Sequence, residues 1–393
     1  MRPKINNNKP MKALSLFSGA GGMDIGVMQA GFDVIACIEL DPHCCETLRH
    51  AATNEKRDTK IIEGDIREID PFQLMAELGM VPGELDLLCG GPPCQAFSQI
   101  GKRKALDDER GMLLFEMTRF AKAFRPKAIL IEQVKGLLNA PSPDGTAGGV
   151  FELLLDELQS LDYVPKWKVV LAADYGVPQK RQRVFIVSTL KPNGFEFPAP
   201  TNGAEQQTIS LFPLPPYVTV GEALSGLGKP ANSKLHYPEN SHLDITPDGD
   251  RRRIKGVPEG SHLAKELQLP ADQRCNLTKK DTTKFRRLSR QEPSITLRCG
   301  EIFFHPEDDR YLTPREYMRI HGYPDEYSLK GPIRGRSGRV RYLDQHRQVA
   351  NSVPPPVARV LAESIRSTIE CQNSLKFLDT PSPTSQKKQR AIA

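Results

Sequence analysis

The stretch Lys12-Ala13-Leu14-Ser15-Leu16-Phe17-Ser18-Gly19-Ala20-Gly21-Gly22-Met23-Asp24-Ile25-Gly26 decides the fold of this 393-residue chain. Its apolar first part, Lys12 to Phe17, predicts a β-strand, and the glycines after it predict a tight turn into a helix. This arrangement can cradle an adenosine-type ligand, because glycines allow close backbone approach and the helix amino end presents unpaired N–H groups. Asp24 stands where the dinucleotide fingerprint G-x-G-x-x-G has its third glycine, which disfavours a nicotinamide or flavin enzyme.

Acidic residues follow the next two predicted strands. Val34 to Ile38 predicts a strand that ends in Glu39, about twenty residues after the glycine turn, where an acidic side chain reaches ribose hydroxyls. Ile61-Ile62 predicts a third strand, followed by Asp65, where a carboxylate could bind an adenine amino group. Either acid alone could be a helix cap, but their succession at strand ends favours a nucleoside pocket. The order of elements predicts an α/β fold with a mostly parallel sheet and helices on both faces.

A cysteine follows the next apolar run, Leu85 to Leu88, in the stretch Gly90-Gly91-Pro92-Pro93-Cys94-Gln95-Ala96-Phe97-Ser98. The glycines permit close approach to a ligand, and the two prolines stiffen the chain ahead of Cys94. A lone cysteine is more often a buried hydrophobe, but a buried cysteine needs neither rigid prolines before it nor polar residues after it. Cys94 is therefore a nucleophile candidate, since a thiolate is the strongest nucleophile among side chains at neutral pH.

Charged side chains lie near the later strand ends. The polar segment Ser98 to Gly111 contains Lys102, Arg103 and Lys104 and predicts a loop able to contact phosphates, although a solvated loop has the same composition. Lys127 to Ile131 predicts a buried strand that ends in Glu132, beside Cys94.

Two arginines precede a further predicted strand, Val184 to Val187. They occur in Gln179-Lys180-Arg181-Gln182-Arg183. Because they are spaced by two, they project to the same side of an extended chain and fit anion or carbonyl contacts, with surface charges as the alternative.

Composition indicates a globular chain, with 38% hydrophobic and 26% charged residues. No apolar run approaches the roughly 18 residues that a membrane span needs, and the polar start has no secretory signal, so we expect a cytoplasmic protein. The eight cysteines include no Cys-x-x-Cys pair and no nearby His at metal-ligand spacing, so we expect reduced thiols and no metal.

The net charge of +6 is localised. Residues 228–298 contain fifteen Lys or Arg against nine Asp or Glu, and the remainder is balanced at 39 of each. Such a surplus, which includes Arg251, Arg252 and Arg253, is the electrostatic footprint of a polyanion binder, although a basic solvated face is a common alternative.

Composition and periodicity also predict the domain limits. Pro, Gly, Asn and Gln enrich residues 191–216, which predicts a linker into a second, smaller and irregular domain. Thr313-Pro314 predicts the start of a short helix that reaches about His321. An amphipathic helix follows Pro356, with Val357, Val360, Leu361, Ile365 and Ile369 on one face. We expect disorder in residues 1–11 and 372–393.

This ordered set of segments resembles the DNA (cytosine-5)-methyltransferases, bacterial restriction-modification type, over residues 12 to about 370. The matching segments are Phe17 to Gly22, Glu39, Gly64-Asp65-Ile66, Pro92 to Ser98, Glu132-Gln133-Val134, Gln179-x-Arg181-x-Arg183, Arg290 to Arg298, and Gln348-x-x-Asn351-Ser352-Val353. The resemblance implies a Rossmann-like domain that binds S-adenosylmethionine, formed by residues 12–190 and 346–371, and a target-recognition domain at 191–345.

The resemblance also implies roles for single residues. Cys94 would add to carbon 6 of a flipped-out cytosine in duplex DNA, Glu132 would supply a proton at N3, Arg183 would hold O2, and Arg181 would brace the active-site loop or a phosphate. The S-adenosylmethionine pocket would contain Phe17, Ser18, Gly19, Gly21, Gly22, Glu39, Leu40, Asp65, Ile66, Pro92, Leu114, Asn351 and Val353. DNA contacts would come from Gln95, Ser98, Lys102, Arg103, Arg251, Arg252 and Arg253.

Gln133 departs from the family pattern, which has Asn after the catalytic glutamate. Gln keeps the amide but adds a methylene, so we expect Gln133→Asn to keep or modestly raise turnover. We expect a monomer, with a possible cognate endonuclease as a functional partner. The sequence leaves two alternatives to a DNA methyltransferase. One is an RNA (tRNA) cytosine methyltransferase with the same site, and the other is a catalytically dead DNA-binding relative.

Overall fold

A computed structural model of the chain describes residues 10–93, 112–142, 144–190, 194–204, 213–232, 240–263, 285–333 and 342–378. The catalytic candidate Cys94 and the predicted DNA contacts Gln95, Ser98, Lys102 and Arg103 lie outside these residues. Among the helices in the described ranges, none is long and apolar enough to cross a membrane.

The strands are β1 (Met11–Leu16), β2 (Phe32–Glu39), β3 (Lys60–Glu63), β4 (Leu87–Gly90), β5 (Ala128–Gln133), β6 (Tyr163–Leu171), β7 (Gln179–Lys180), β8 (Gln182–Leu190) and β9 (Ser294–Ile295). The α-helices are α1 (Gly22–Gln29), α2 (Pro42–Asn54), α3 (Pro71–Glu77), α4 (Glu116–Phe124), α5 (Gly149–Ser160), α6 (Val220–Leu224), α7 (Asp248–Ile254), α8 (Pro314–His321), α9 (Gln345–Asn351) and α10 (Pro355–Leu378). Short 3-10 helices occur at Ile66–Glu68, Met112–Phe115, Lys135–Asn139 and Ala172–Tyr175.

Seven strands form one sheet in the order β3-β2-β1-β4-β5-β8-β6. The first five run parallel, whereas β8 is antiparallel to both β5 and β6. This order confirms the predicted mostly parallel α/β sheet. The strand order reverses between β1 and β4, where Leu16 pairs with Gly90. Open α/β sheets bind ligands outside the carboxyl ends of the strands at such a switch point, so the glycine turn and the chain leading to Cys94 leave the sheet side by side.

Helices cover both faces of the sheet, as predicted. On one face α3, α4 and α5 bury a cluster that includes Leu74, Phe120 and Leu154. On the other face α1 and α10 share a second cluster. The apolar stripe of α10 is buried there as its periodicity predicts, with Val360 partly buried at the edge of the stripe.

The last helix packs tightly on the first. A Cβ atom added at Gly26 would lie 2.6 Å from the Cβ atom of Ala358 and from the backbone nitrogen of Arg359, which is closer than packed atoms approach. The guanidinium of Arg366 also donates to the carbonyl of Ala30 at 3.1 Å. The end of the chain therefore completes the domain that its beginning starts.

Helix α10 extends to Leu378, so the expectation of disorder from residue 372 is wrong for its first seven positions. The segment is polar, but it contains no Pro or Gly before Pro381, and straight-chain polar residues are compatible with a helix. At the other end, β1 begins at Met11, the last residue of the predicted disordered start.

A third apolar cluster joins the glycine turn to the middle of the chain. It unites Ala20 and Ile25 with buried residues from α8 and from segments on both sides of it: Val220, Leu288, Leu297, Phe303, Leu312, Tyr317, Met318, Ile320, Tyr323, Tyr327, Leu329, Val349 and Ala350. Phe195 likewise packs in the cluster shared by α1 and α10. The predicted limits at 191 and 345 stay predictions, but these contacts cross both of them.

A small separate cluster remains in the predicted recognition region. It consists of Ile254, Val257, Leu263 and Phe304, with Phe285 and Tyr311 packed against it. The region therefore has one part that shares the core of the first domain and one part with a core of its own.

Candidate active site at the carboxyl edge of the sheet

The glycine turn has an unusual backbone. Phe17 and Gly19 both have φ 54°, and Gly21 has φ 77° and caps α1. A left-handed conformation at a bulky residue such as Phe17 is uncommon and marks strain that functional sites often hold. A Cβ atom at Gly19 would meet no atom of the described residues within 4 Å, so among them this backbone borders open space. Ser18 is buried and its hydroxyl donates to Ser15, which fixes the turn from inside.

Glu39 lies at the end of β2 and contacts this turn directly. Its carboxylate accepts hydrogen bonds from the N–H groups of Gly19 at 2.7 Å, Leu40 at 2.9 Å and Asp41 at 2.8 Å. Burial raises the pKa of Glu39, and these N–H groups oppose that rise. The side chain of Leu40 is 65% exposed. A fixed acceptor beside an exposed apolar side chain suits a ribose and its attached base.

The residues predicted around the adenine have different environments. Asp65 caps the 3-10 helix at Ile66–Glu68, and hydrogen bonds from Arg67 hold the pKa of Asp65 below its ordinary value. The side chains of Ile66 and Leu114 are 4% and 1% exposed and belong to the core on the α4 face. They support the floor of the site from below.

Glu132 and Arg183 form the polar centre of the site. Glu132 is the penultimate residue of β5 and is paired in register with Phe185, so Arg183, two residues earlier on β8, projects to the same side. Arg183 Nε lies 2.9 Å from Glu132 Oε1, and both side chains are largely buried. A Cβ atom at Gly91 would lie 3.4 Å from Glu132 Oε2. The carboxylate therefore borders the segment that leads to Cys94.

Gln133 braces the same segment. Its side chain is buried, and Nε2 donates to the carbonyl oxygen of Pro92 at 2.9 Å. Pro92 is two residues before Cys94 in the sequence. The amide of this residue therefore has the bracing contact considered from the sequence, with the longer Gln side chain spanning the distance.

Arg181 has a different environment from Arg183. Its side chain is buried, and its guanidinium donates to the carbonyl oxygens of Ala350 at 3.0 Å and Ser352 at 3.2 Å. Burial lowers the pKa of Arg181 to about 9. Within the described residues, the hydrogen bonds of this side chain fix the turn between α9 and α10, so Arg181 acts there as a positioning residue.

The turn between α9 and α10 closes the site from the carboxyl end of the chain. Asn351 is exposed, and Val353 is buried. A Cβ atom at Gly22 would collide with the carbonyl oxygen of Val353 and lie 2.8 Å from the hydroxyl of Tyr323. Gly22 is therefore required by packing against this turn, while Gly19 and Gly21 are required by their positive φ.

The three consecutive arginines of α7 differ in their surroundings. Arg251 forms an ion pair with the buried carboxylate of Asp244 at 2.6 Å, Arg252 is exposed, and Arg253 is half-buried. A charge already paired with an internal carboxylate is a weaker phosphate contact than a free one. Among the three, Arg252 is the best placed to meet a polyanion.

Other arginines of the middle region are internal. Arg287 donates to the carbonyl oxygens of His305, at 3.2 Å, and of Ile254, at 2.8 Å, and Arg315 donates to that of Tyr327, at 2.7 Å. Arg310 pairs with Glu316 at 2.8 Å, and both are buried. Arg287, which belongs to the basic surplus of residues 228–298, therefore stabilises the interior of this region and is unavailable to a partner.

Several buried polar residues were missed by sequence reasoning. His321, Tyr323 and Tyr327 follow or end α8, yet the hydroxyl of Tyr327 donates to the carbonyl of Ala20 in the glycine turn at 2.9 Å. The predicted start of α8 is confirmed, with Thr313 in a capping box with Glu316. The sequence signal for the helix was present, but nothing near it in the sequence indicated that the residues after the helix pack against the glycine turn.

Comparison with known proteins decides the family. The model of the C-5 cytosine-specific DNA methylases matches residues 11–367. The chain belongs to this family. It is a DNA (cytosine-5) methyltransferase by that membership, and the sheet of this S-adenosylmethionine-dependent family is the one described above. Within the described residues, no group of three or more His, Cys, Asp or Glu is arranged to hold a metal ion.

Similar proteins cover nearly the whole chain. The Type II methyltransferase M.NgoFVII of Neisseria gonorrhoeae is 33% identical over 366 residues, which are 92% of this chain and 87% of that protein. The Type II methyltransferase M.Eco47II of Escherichia coli is 33% identical over 374 residues, covering 92% and 80%. Among solved structures, Spodoptera frugiperda DNMT2 has a TM-score of 0.58 at 17% identity and covers 91% of this chain and 99% of that chain, which supports the fold.

Proposed function

We infer that this methyltransferase transfers a methyl group from S-adenosylmethionine to carbon 5 of a cytosine that is flipped out of duplex DNA, through a covalent bond between Cys94 and carbon 6. The observation that carries this proposal is the placement of Glu132 and Arg183 beside Gly91, with Gln133 bonded to Pro92. Two groups suited to a pyrimidine ring thus border the segment that leads to the thiol. The glycine turn leaves the adjacent strand of the sheet.

The residues at the switch point fit S-adenosylmethionine. Glu39 offers oxygens that can accept from ribose hydroxyls, and the backbone at Gly19 borders open space. Leu40 would cover the adenine, while Asn351 and Val353 would close the pocket from the other side. When bound, the cofactor supplies an electrophilic methyl group. The task of the chain is to make carbon 5 of the cytosine nucleophilic beside it.

Cys94 would perform that activation by adding to carbon 6, because an aromatic cytosine is a poor carbon nucleophile. Electron density then builds on the ring toward N3 and O2. Glu132 in its protonated form would donate at N3, and Arg183 would donate to O2. Loss of the proton from carbon 5 and departure of the thiolate would restore the ring.

The observed ion pair shows the partner that Arg183 has when no cytosine is bound. Without a base, Arg183 neutralises Glu132 at 2.9 Å. The O2 atom of an entering cytosine would take the guanidinium as its donor in place of this carboxylate.

The resemblance of this chain to Type II methyltransferases supports a role as the modification enzyme of a restriction-modification system. Base recognition would come from the region between β8 and α9, with Arg252 among its phosphate contacts. Phosphate contacts position a protein on DNA, whereas side chains in the major groove read the sequence.

A covalent trap tests the mechanism. The target site is first mapped by bisulfite sequencing of DNA from cells that express the chain. A duplex with 5-fluorocytosine at that site should then form a complex that survives denaturation, because fluorine cannot leave as a proton does. Cys94→Ser should abolish both the complex and turnover while cofactor binding survives.

Cys371→Ser provides the matched control, since Cys371 is an exposed thiol on α10. This variant should trap and methylate as the wild type does. Turnover by Cys94→Ser at the wild-type rate would refute the mechanism. Transfer of labelled methyl groups to tRNA in preference to duplex DNA would refute the substrate.

A further inference from the structure

A chain of buried hydrogen bonds crosses from the middle region to the turn between α9 and α10. The N–H of Leu297 donates to Gln179 Oε1 at 3.1 Å, and Gln179 Nε2 lies 2.9 Å from His321 Nδ1. His321 Nε2 lies 2.9 Å from the carbonyl oxygen of Ser352. The side chains of Gln179 and His321 are fully buried.

The donors and acceptors at each position fix where the hydrogens lie in this series of hydrogen bonds. A carbonyl oxygen can only accept, so His321 Nε2 carries the hydrogen and Nδ1 accepts from the amide of Gln179. The amide orientation of Gln179 is fixed in turn, because its oxygen faces the N–H of Leu297. Burial, followed by the nearby charge of Arg181, lowers the pKa of His321 well below its ordinary value, so the ring stays neutral.

The same turn is held from a second side. Arg181 donates to the carbonyl oxygens of Ala350 and Ser352, the residues that flank Asn351. The next residue, Val353, packs against Gly22 of the glycine turn. The position of this turn relative to the glycine turn therefore depends on donors that originate in β7, in the residue before β8, and in α8.

A thiol from the middle region contacts the turn as well. Cys299 Sγ lies 2.6 Å from Asn351 Oδ1. With its oxygen engaged by the thiol, the amide of Asn351 directs its N–H₂ group elsewhere. That orientation suits a hydrogen-bond donor at the edge of a ligand pocket.

We propose that His321 is a positioning residue for S-adenosylmethionine: through the Ser352 carbonyl it sets Asn351 and Val353 against the glycine turn, with Cys299 fixing the amide of Asn351. The inference rests on the proposed cofactor site. It places a determinant of cofactor affinity in α8, inside the predicted recognition region. His321 lies 31 positions before Ser352 in the sequence.

Two substitutions at His321 distinguish the loss of its hydrogen bonds from the change in side-chain volume. His321→Leu removes both hydrogen bonds and leaves the Ser352 carbonyl with one donor fewer, whereas Gln in His321→Gln can accept from Gln179 and donate to Ser352. We expect His321→Leu to raise the dissociation constant of S-adenosylmethionine and its KM about tenfold, with a smaller effect on kcat. His321→Gln should restore affinity to within about threefold of the wild type.

His242→Leu is the matched control. His242 is buried and bonded to Thr313 at the other end of the same helix, at 2.9 Å, and to the carbonyl of Gly228 at 3.3 Å. This change should destabilise the fold without altering cofactor affinity. Cys299→Ala, compared with Cys299→Ser, offers a milder second test at the exposed side of the turn, with an expected loss of about threefold for Ala alone.

Isothermal titration with S-adenosylmethionine, and with S-adenosylhomocysteine, provides the readout, and urea unfolding reports stability in parallel. Cofactor affinity that is unchanged in a folded His321→Leu variant, or weakened equally by His242→Leu, would overturn the inference. If His321→Leu does not fold, equal affinities of Cys299→Ala and the wild type would overturn it. A folded wild type that binds neither compound would instead overturn the proposed function.

Discussion

Shortening Gln133 to Asn should reduce turnover. Gln133 Nε2 lies 2.9 Å from the carbonyl oxygen of Pro92. Removing one methylene withdraws the amide by up to about 1.5 Å, which takes the distance to about 4 Å, beyond hydrogen-bond range. Because both groups are buried, the unpaired carbonyl costs about 1–3 kcal/mol. If that free energy is lost from the productive position of the catalytic segment, turnover falls about 5- to 150-fold.

This predicted fall in turnover is opposite to the expectation from the sequence, in which Asn would restore the family pattern. The structure reverses it because the backbone at Pro92 is positioned for the longer side chain. Single-turnover transfer of a labelled methyl group from S-adenosylmethionine to a duplex that contains the target is the appropriate assay. The affinity for DNA should stay near that of the wild type, since the substitution changes no charge.

Gln182→Asn is the matched control, because Gln182 is an exposed amide on the neighbouring strand and bonds Lys135 Nζ at 3.2 Å. The same one-methylene change there should leave turnover within about twofold. A Gln133→Asn enzyme with wild-type single-turnover rate would show that the bond to Pro92 does not position the catalytic segment.

Five other substitutions probe DNA contact, packing and pH dependence. Arg252→Ala should weaken binding to all duplexes and lower the salt slope by about one, whereas Arg251→Ala should mainly reduce stability because it leaves Asp244 unpaired; titrations at several salt concentrations and urea unfolding separate the two. Gly26→Ala should cost about 1–3 kcal/mol in the free energy of unfolding because α10 must move, whereas Gly64→Ala, which meets no atom within 4 Å, should be nearly neutral. Burial raises the pKa of Asp24 to about 6, so the stabilisation from its protonated form is complete below pH 3.8 and is lost as pH rises through 6; Asp24→Asn should lose that pH dependence in unfolding measurements between pH 4 and 8.

The strand ends could be predicted from the sequence because apolar runs followed by Gly, Asp or Glu are local signals. Glu39 and Glu132 lie at the ends of β2 and β5 that these signals predicted, whereas Arg183 was predicted at the entry to a strand and lies at the start of β8. The stripe of α10 was equally legible, since its 3.6-residue period is a property of the helix itself. Its partner on the sheet was known only through the family resemblance.

Burial of charge could not be predicted, because it depends on distant carbonyl groups. Arg287 was counted in the basic surplus of residues 228–298, yet it donates to backbone carbonyls in the interior, as Arg315 does. Arg181 and Arg183 are two residues apart and have similar sequence surroundings. Arg181 nevertheless faces the turn before α10, whereas Arg183 faces Glu132. A two-residue period assigns a side of the strand without saying what lies opposite.

The contact between α1 and α10 also has a consequence for how the protein matures on the ribosome. Arg366 and Ala30, which bond across this contact, are 336 positions apart in the chain. The first strands and α1 therefore emerge with one face of their sheet uncovered until the 336 positions that separate these partners have been translated. Because the turn before α10 packs against Gly22, the glycine turn also lacks this contact until α10 has been made.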